Sequence, residues 1–235
     1  MLDIGALSPW IDQRHLSADE LLKHRDSLNQ HPARLVVIED LLTAEAADLL
    51  SRFVADDADY ATEYGLYSKE DGVSPETWGV ATEEDRFFRF DKMRGPKPEA
   101  AFGQGTMAYL KFRKFAGETA FRGLVEALTG LGLGPTDNFG VHAFHAGDFL
   151  RDHDDDSKGR RVAFVLYLSP DWPPEFGGAL TMVDSGGGVT TVPPSFNSMV
   201  VFDAKAGSRH RVEPVLPAAD DRARGTFGGW FPDAP

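Results

Sequence analysis

The chain has 235 residues, 26% charged and 42% hydrophobic, with 37 acidic side chains against 24 basic ones and a formal net charge of −13. A globular chain of this length buries roughly 70 to 75% of the surface its unfolded form exposes, so one domain over residues 1–235 is the default and no disulfide is needed to hold a core. With no cysteine, a disulfide framework, a thiol nucleophile, a thiolate zinc site and an iron–sulfur cluster are all excluded, and any metal must use His, Asp or Glu. The acid excess argues against a direct nucleic-acid partner, whose phosphates call for clustered Lys and Arg. The opening MLDIGALSPWIDQRHL has no basic start and no apolar run, and no later stretch is apolar for long enough to span a bilayer, which predicts a cytoplasmic protein without a membrane partner.

In chain order, Ser17-Ala18-Asp19-Glu20 has the form of a capping box and predicts a short helix ahead of Leu21 and Leu22. Leu35 to Ile38 is an aliphatic run that suits a strand. Thr43 caps a clearer helix whose apolar positions Ala46, Leu49, Leu50, Phe53 and Val54 fall on one face. Residues 56–105 read as a long polar loop that nonetheless holds Tyr60, Tyr64, Tyr67, Trp78, Phe87 and Phe88, either as a pocket lining or as anchors to the core. For Met107 to Phe115 helical and strand periods fit equally. A further helix is predicted over 119–131, with Phe121, Leu124, Val125 and Leu128 in register and Gly130 near its end.

From about Asn138 the texture changes to short Val-, Phe-, Thr- and Tyr-rich segments: 141–146, 162–168, 179–183, 189–192, 199–202, 212–215 and 226–231. Turn clusters separate them, including Asp184 to Gly188 as a hairpin turn. The pattern predicts an α+β chain. Residues 1–135 are mostly helical support and a substrate loop, and residues 136–235 are an antiparallel jelly-roll core.

The chemistry concentrates in that second half. His153 and Asp155 stand two apart in Arg151-Asp152-His153-Asp154-Asp155-Asp156, so on extended backbone they share one side while Asp154 turns away. His210 enters a later strand. Two imidazoles and one carboxylate are the facial triad of non-haem iron(II) oxygenases, which leaves three coordination positions open. Arg224, at the head of Arg224-Gly225-Thr226-Phe227-Gly228-Gly229-Trp230-Phe231, offers a bidentate fork for the carboxylate of a co-substrate. A lone His-x-Asp in an acidic run is usually a solvated charge cluster, and Asp152, Asp154 and Asp156 are expected to stay solvated. His15, His24 and His31 are expected at the surface, His142 and His145 as packed or solvated residues, and Trp230 in the core.

Phe144-x-x-Gly147-x-Phe149-Leu150-x-x-His153-x-Asp155, the strand Arg160 to Leu168, Trp172, Gly177-Gly178-Ala179-Leu180, His210-Arg211-Val212 and Arg224 to Phe231 follow one another in a characteristic order. Together they resemble the prolyl-4-hydroxylase-like branch of the Fe(II)/2-oxoglutarate dioxygenases, and within it most of all the proline hydroxylases that modify a ribosomal protein. The resemblance implies a double-stranded β-helix, iron(II) on His153, Asp155 and His210, and 2-oxoglutarate with its distal carboxylate on Arg224. It further implies a hydrogen bond from Tyr167 to that carboxylate, assistance from Thr226, dioxygen as oxidant and ascorbate as a candidate reductant. Phe144 departs from the pattern, since a Tyr is common there and any hydrogen bond from it is lost. The substrate stays open among a free amino acid, a prolyl residue of a peptide or protein, and a natural-product scaffold, as does the oligomeric state. Two rival readings are a cupin-like zinc or manganese hydrolase or isomerase, which leaves Arg224 without a role, and a calcium-binding β-sandwich, which His153 and His210 disfavour.

Overall fold

The computed structural model describes residues 2–155 and 159–235. Asp156 therefore lies outside the described residues. After a single turn, α1 (Ile4–Leu7), the chain forms α2 (Ala18–Gln30), started by Ser17, whose hydroxyl accepts from the Glu20 amide. Only that half of the capping box forms, because the Glu20 carboxylate pairs with Lys23 at 2.8 Å instead. Helix α3 (Ala44–Arg52) is capped by Thr43 and loosens into a π-helical turn over Phe53–Asp57. The segment around Met107 is helical, α5 (Gln104–Ala116), and buries Ala108, Tyr109, Phe112, Phe115 and Ala116 on one face. Helix α6 (Thr119–Thr129) ends on Gly130 at φ 75°, a left-handed cap that glycine adopts without a Cβ penalty.

The stretch expected to be a long loop is largely strand. It contains β2 (Ala58–Leu66) and β3 (Arg86–Pro96), paired along their length, with the short helix α4 (Pro75–Val80) between them. Both strands are half-buried along most of their length and carry charged and aromatic residues together, so neither shows the clean apolar alternation that marks a strand in sequence. The other strands are β1 (Leu35–Ile38), β4 (Phe139–Phe144), β5 (Phe149–His153), β6 (Arg160–Tyr167), β7 (Leu180–Val183), β8 (Val189–Val192), β9 (Met199–Asp203), β10 (Arg209–Val212) and β11 (Arg224–Pro232). Strand β5 supplies the extended backbone expected at His153, and β10 begins earlier than the apolar run at 212 suggests, since His210 faces a cavity and not an apolar core.

The strands form one curled antiparallel sheet in the order β1-β9-β6-β11-β4-β3-β5-β10-β7-β8, with β2 on the free side of β3. The turn in the sheet is made by β3. It pairs with β4 through Asp91 and Lys92 and with β5 through Phe88 and Arg89, so the two halves of the jelly roll face each other across it. Residue alternation on β6 divides the core. Val162, Phe164 and Leu166 pack outward against Phe112, Phe121 and Leu124 of the helices, while Ala163, Val165 and Tyr167 point into the roll with Leu180, Met182 and Phe202. A strand buried on both faces reads as a continuous apolar run, and that is how this one reads. The helices thus cover the outer face of the β1-β9-β6-β11-β4 side and leave the interior of the roll for the site.

Candidate metal and co-substrate site

His153 closes β5 and faces His210 of β10 across the antiparallel register, with ring centroids 4.1 Å apart. Asp155 follows two residues on, and one ligand atom from each of the three lies within 4.8 Å of the others. His210 and Asp155 are buried, at 6% and 3% exposure. The turn into β5 is pinned from behind. The Asp148 carboxylate accepts from the His145 amide at 2.7 Å and from Arg89 Nε at 2.5 Å, tying the β4–β5 turn to β3.

His153 and Asp155 hold the protonation states that a divalent cation needs. His153 Nδ1 lies 2.9 Å from the Arg151 carbonyl, which assigns the ring proton to Nδ1 and leaves the Nε2 lone pair free. Burial, reinforced by the neighbouring His210, pushes the His153 pKa down to about 4 and keeps the ring neutral at pH 7. Burial alone would raise Asp155, but its hydrogen-bond contacts with His210 and Trp230 outweigh that and hold it at about 2.

Two residues outside the triad grip that carboxylate. Arg160 Nη1 donates to Asp155 Oδ1 at 2.8 Å and Trp230 Nε1 donates to Oδ2 at 2.8 Å, while His210 Nε2 stands 3.4 Å from Oδ2. The guanidinium of Arg160 also lies 3.8 Å over the Trp230 ring, so the two donors brace one another. Trp230, expected in the core, instead belongs to the site. Its place six residues after Arg224 on one strand, hence on the same face, was the available signal. No local pattern marked Arg160.

Arg224 heads β11 on the inward face and is 2% exposed. Tyr167 is the polar side chain that acts on it most directly. The guanidinium carbon sits 4.9 Å from that ring and 5.1 Å from the Phe144 ring, and no carboxylate offsets the charge among the described residues. Among the described residues neither Arg224 Nε nor the Tyr167 hydroxyl has a hydrogen-bond partner, and the two side chains lie close enough to interact electrostatically. Burial raises the Tyr167 pKa and lowers that of Arg224. An uncompensated buried guanidinium is costly unless an anion meets it.

These groups meet around one cavity of about 150 Å³, with His153, Asp155, His210 and Trp230 at one end and Arg224 and Thr226 at the other. Tyr167 stands behind Arg224 and does not line the wall. Thr226 lies opposite Tyr167 in the sheet, its hydroxyl 3.5 Å from the His142 carbonyl. Phe90 and Phe144 close one side, their rings 5.2 Å apart. Phe87 approaches the His153 ring at 5.8 Å, and Tyr67 donates to the Asp152 carbonyl at 3.1 Å. Trp78 anchors α4 under Arg86, 4.2 Å away, so the aromatics of 56–105 serve both as lining and as anchors. Asp154 is exposed as expected, and Asp152 pairs with Arg211 at 3.3 Å. His15 is buried, contrary to expectation, because the chain folds back to place its Nε2 3.1 Å from the Asp40 carbonyl. His145 is a surface residue 3.4 Å from Asp91, whereas His142 faces the cavity.

Two imidazoles and an ionised carboxylate at one end of a cavity, with a buried guanidinium at the other, fit a divalent metal together with a dicarboxylate. The fold and this site define a jelly roll with a candidate divalent-metal centre in its interior. Residues 139–232 match the family model described as the 2OG-Fe(II) oxygenase superfamily. The family takes iron(II), 2-oxoglutarate and dioxygen.

Among curated proteins, the chain is 34% identical over 117 residues to prolyl 3-hydroxylase OGFOD1 of Mus musculus, covering 47% of this chain and 21% of that one. It is 32% identical over 136 residues to prolyl 3,4-dihydroxylase OGFOD1 of Ostreococcus tauri, covering 52% and 26%. The match thus spans about a fifth to a quarter of those relatives' length. Among solved structures, a prolyl-4-hydroxylase of Pseudomonas putida superposes with TM-score 0.54 at 22% identity over 92% of this chain and 100% of that one. A prolyl hydroxylase of Trichoplax adhaerens, in complex with a hypoxia inducible factor peptide fragment, gives 0.58 at 16% identity over 92% and 94%. These likenesses establish the jelly-roll fold.

Proposed function

We propose that the chain is an iron(II)- and 2-oxoglutarate-dependent dioxygenase that hydroxylates a prolyl residue of a peptide or protein. The observation that carries the reading is the cavity with the His153, Asp155 and His210 donor set at one end and the buried Arg224 at the other. In this reading His153, Asp155 and His210 hold iron(II), and Arg224 takes the distal carboxylate of 2-oxoglutarate, with Tyr167 and Thr226 beside it. Iron(II) bound there supplies the dioxygen-dependent oxidation in which 2-oxoglutarate becomes succinate and carbon dioxide and one C–H bond becomes C–OH.

The residues of the chain do the rest. Arg160 and Trp230 fix the Asp155 carboxylate so that its second oxygen does not rotate into the positions the co-substrate needs. Arg224 compensates one co-substrate charge and sets its depth in the cavity. Phe90, Phe144 and Phe202 exclude water around the reacting centre. The relatives named prolyl hydroxylases support the prolyl group, and the net charge of −13 suits a basic polypeptide. Among the described residues no helix is long and apolar enough to cross a membrane, and we place the enzyme in the cytoplasm.

The test is iron content after anaerobic reconstitution, followed by succinate formation from 2-oxoglutarate in air, with and without prolyl peptides and a mass-spectrometric search for a product heavier by one oxygen. Succinate from the wild type, none from Asp155→Ala or His210→Ala, and a raised 2-oxoglutarate requirement in Arg224→Ala are expected. Unchanged turnover in Asp155→Ala overturns the reading.

A further inference from the structure

His142 is a titratable side chain in the cavity that none of the roles above uses. It lies on β4, two residues before Phe144, so both point into the roll. In the sheet it stands opposite Thr226, with Arg224 opposite Phe144. The inward residues of β11 run Arg224, Thr226, Gly228, Trp230 from the cationic end of the cavity to the triad end. The His142 ring leans along β4 over Gly140, where a Cβ would meet its Cε1 at 2.8 Å, and Gly140 is the partner of Gly228. The imidazole therefore sits between Arg224 and the triad, in a place two glycines leave open.

Its surroundings point to an acidic ligand. Phe90 packs edge-to-face on the ring at 5.3 Å and leaves the nitrogens free. Neither nitrogen has a hydrogen-bond partner among the described residues, and the charged groups that act on the ring are the cations Lys92 and Arg224. Lys92 is itself drawn outward to Glu63 at 3.6 Å. A neutral imidazole always carries one N–H, and here it has no acceptor inside the protein.

We propose that His142 is a co-substrate-positioning residue: its ring N–H donates to the keto-acid end of 2-oxoglutarate while Arg224 holds the distal carboxylate. The chain would thereby recover from β4, two residues away, a polar contact that Phe144 cannot make. The inference rests on the proposed co-substrate.

The experiment measures 2-oxoglutarate affinity by calorimetry on the iron(II)-loaded protein without oxygen, for wild type, His142→Phe, His142→Gln and Arg224→Ala, each with a thermal midpoint. Removing one hydrogen bond to a carboxylate is expected to weaken binding about tenfold or more in His142→Phe. His142→Gln, which keeps an N–H donor, is expected to stay within about threefold of wild type. A packing role gives the opposite order, since Phe preserves the ring and Gln does not. Wild-type affinity in His142→Phe, or loss in His142→Gln alone, overturns the inference. If the iron-loaded wild type does not bind 2-oxoglutarate at all, it is the proposed function that fails.

Discussion

Replacing Trp230 by Phe tests how the carboxylate ligand is held. The change keeps a ring under Arg160, whose guanidinium lies 3.8 Å above it, and removes one donor, the Nε1 that reaches Asp155 Oδ2 at 2.8 Å. Asp155 is 3% exposed, so water does not replace the lost bond without rearrangement. A hydrogen bond to a buried charged group contributes about 1.5–3 kcal/mol. At ~2–4 °C per kcal/mol for a domain of this size, the metal-free midpoint is expected to fall by roughly 3–12 °C. The freed oxygen also rotates, and loss of such a supporting donor lowers metal affinity about 10- to 100-fold. Thermal denaturation in chelator and a metal titration followed by calorimetry measure the two effects separately. An unchanged midpoint together with unchanged metal affinity refutes the assignment of Trp230 as a support of Asp155.

Three further outcomes follow from the same geometry. Tyr167→Phe removes a buried hydroxyl that has no partner, so the ligand-free protein is expected to be unchanged or more stable by up to about 1 kcal/mol, while 2-oxoglutarate binding weakens; equal losses in both, read by denaturant unfolding and calorimetry, contradict this. Gly178 sits at φ 72°, and a Cβ there would come within 2.8 Å of Arg224 Cδ; Gly178→Ala is expected to cost about 1–2 kcal/mol from backbone strain and to raise the 2-oxoglutarate KM more than it lowers kcat, because it displaces the guanidinium and leaves the triad in place. Burial, aided by Lys92 and Arg224, lowers the His142 pKa from 6.5 to about 4. Below pH 6.5 the unfolded chain then takes up a proton that the folded one refuses. This contribution to stability is complete above pH 6.5 and shrinks as pH falls toward 4, by up to about 3 kcal/mol. Denaturant unfolding of the metal-free protein from pH 7.5 to 4 is expected to show a shallower decline in His142→Phe than in wild type, and parallel curves contradict the burial of this ring.

The parts of the site legible in the sequence are those whose partners are near in the chain or fixed by strand period. His153 and Asp155 are two residues apart on extended backbone, and Arg224 opens a strand whose own residues specify it. The helices at Thr43 and Thr119 declare themselves through a single apolar face. Strands β2 and β3 were illegible for the opposite reason. They are half-buried and mix charged with aromatic residues, so no period separates core from solvent, and only pairing with each other and with β4 and β5 makes them strands.

What the sequence by itself determined is the chemistry available: no thiolate, two imidazoles and a carboxylate in strand context, one arginine with a glycine-rich strand behind it, and a chain divided into helical and strand textures. Only the tertiary structure decided which groups meet. Folding placed Arg160 and Trp230 on the two oxygens of Asp155, His142 in the cavity, His15 in the interior, and Tyr167 behind Arg224. These contacts join residues brought together by the pairing of strands and the return of the chain, as β6 on β11 sets Tyr167 beside Arg224 and β11 on β4 sets Thr226 opposite His142, which a reading of local pattern does not contain.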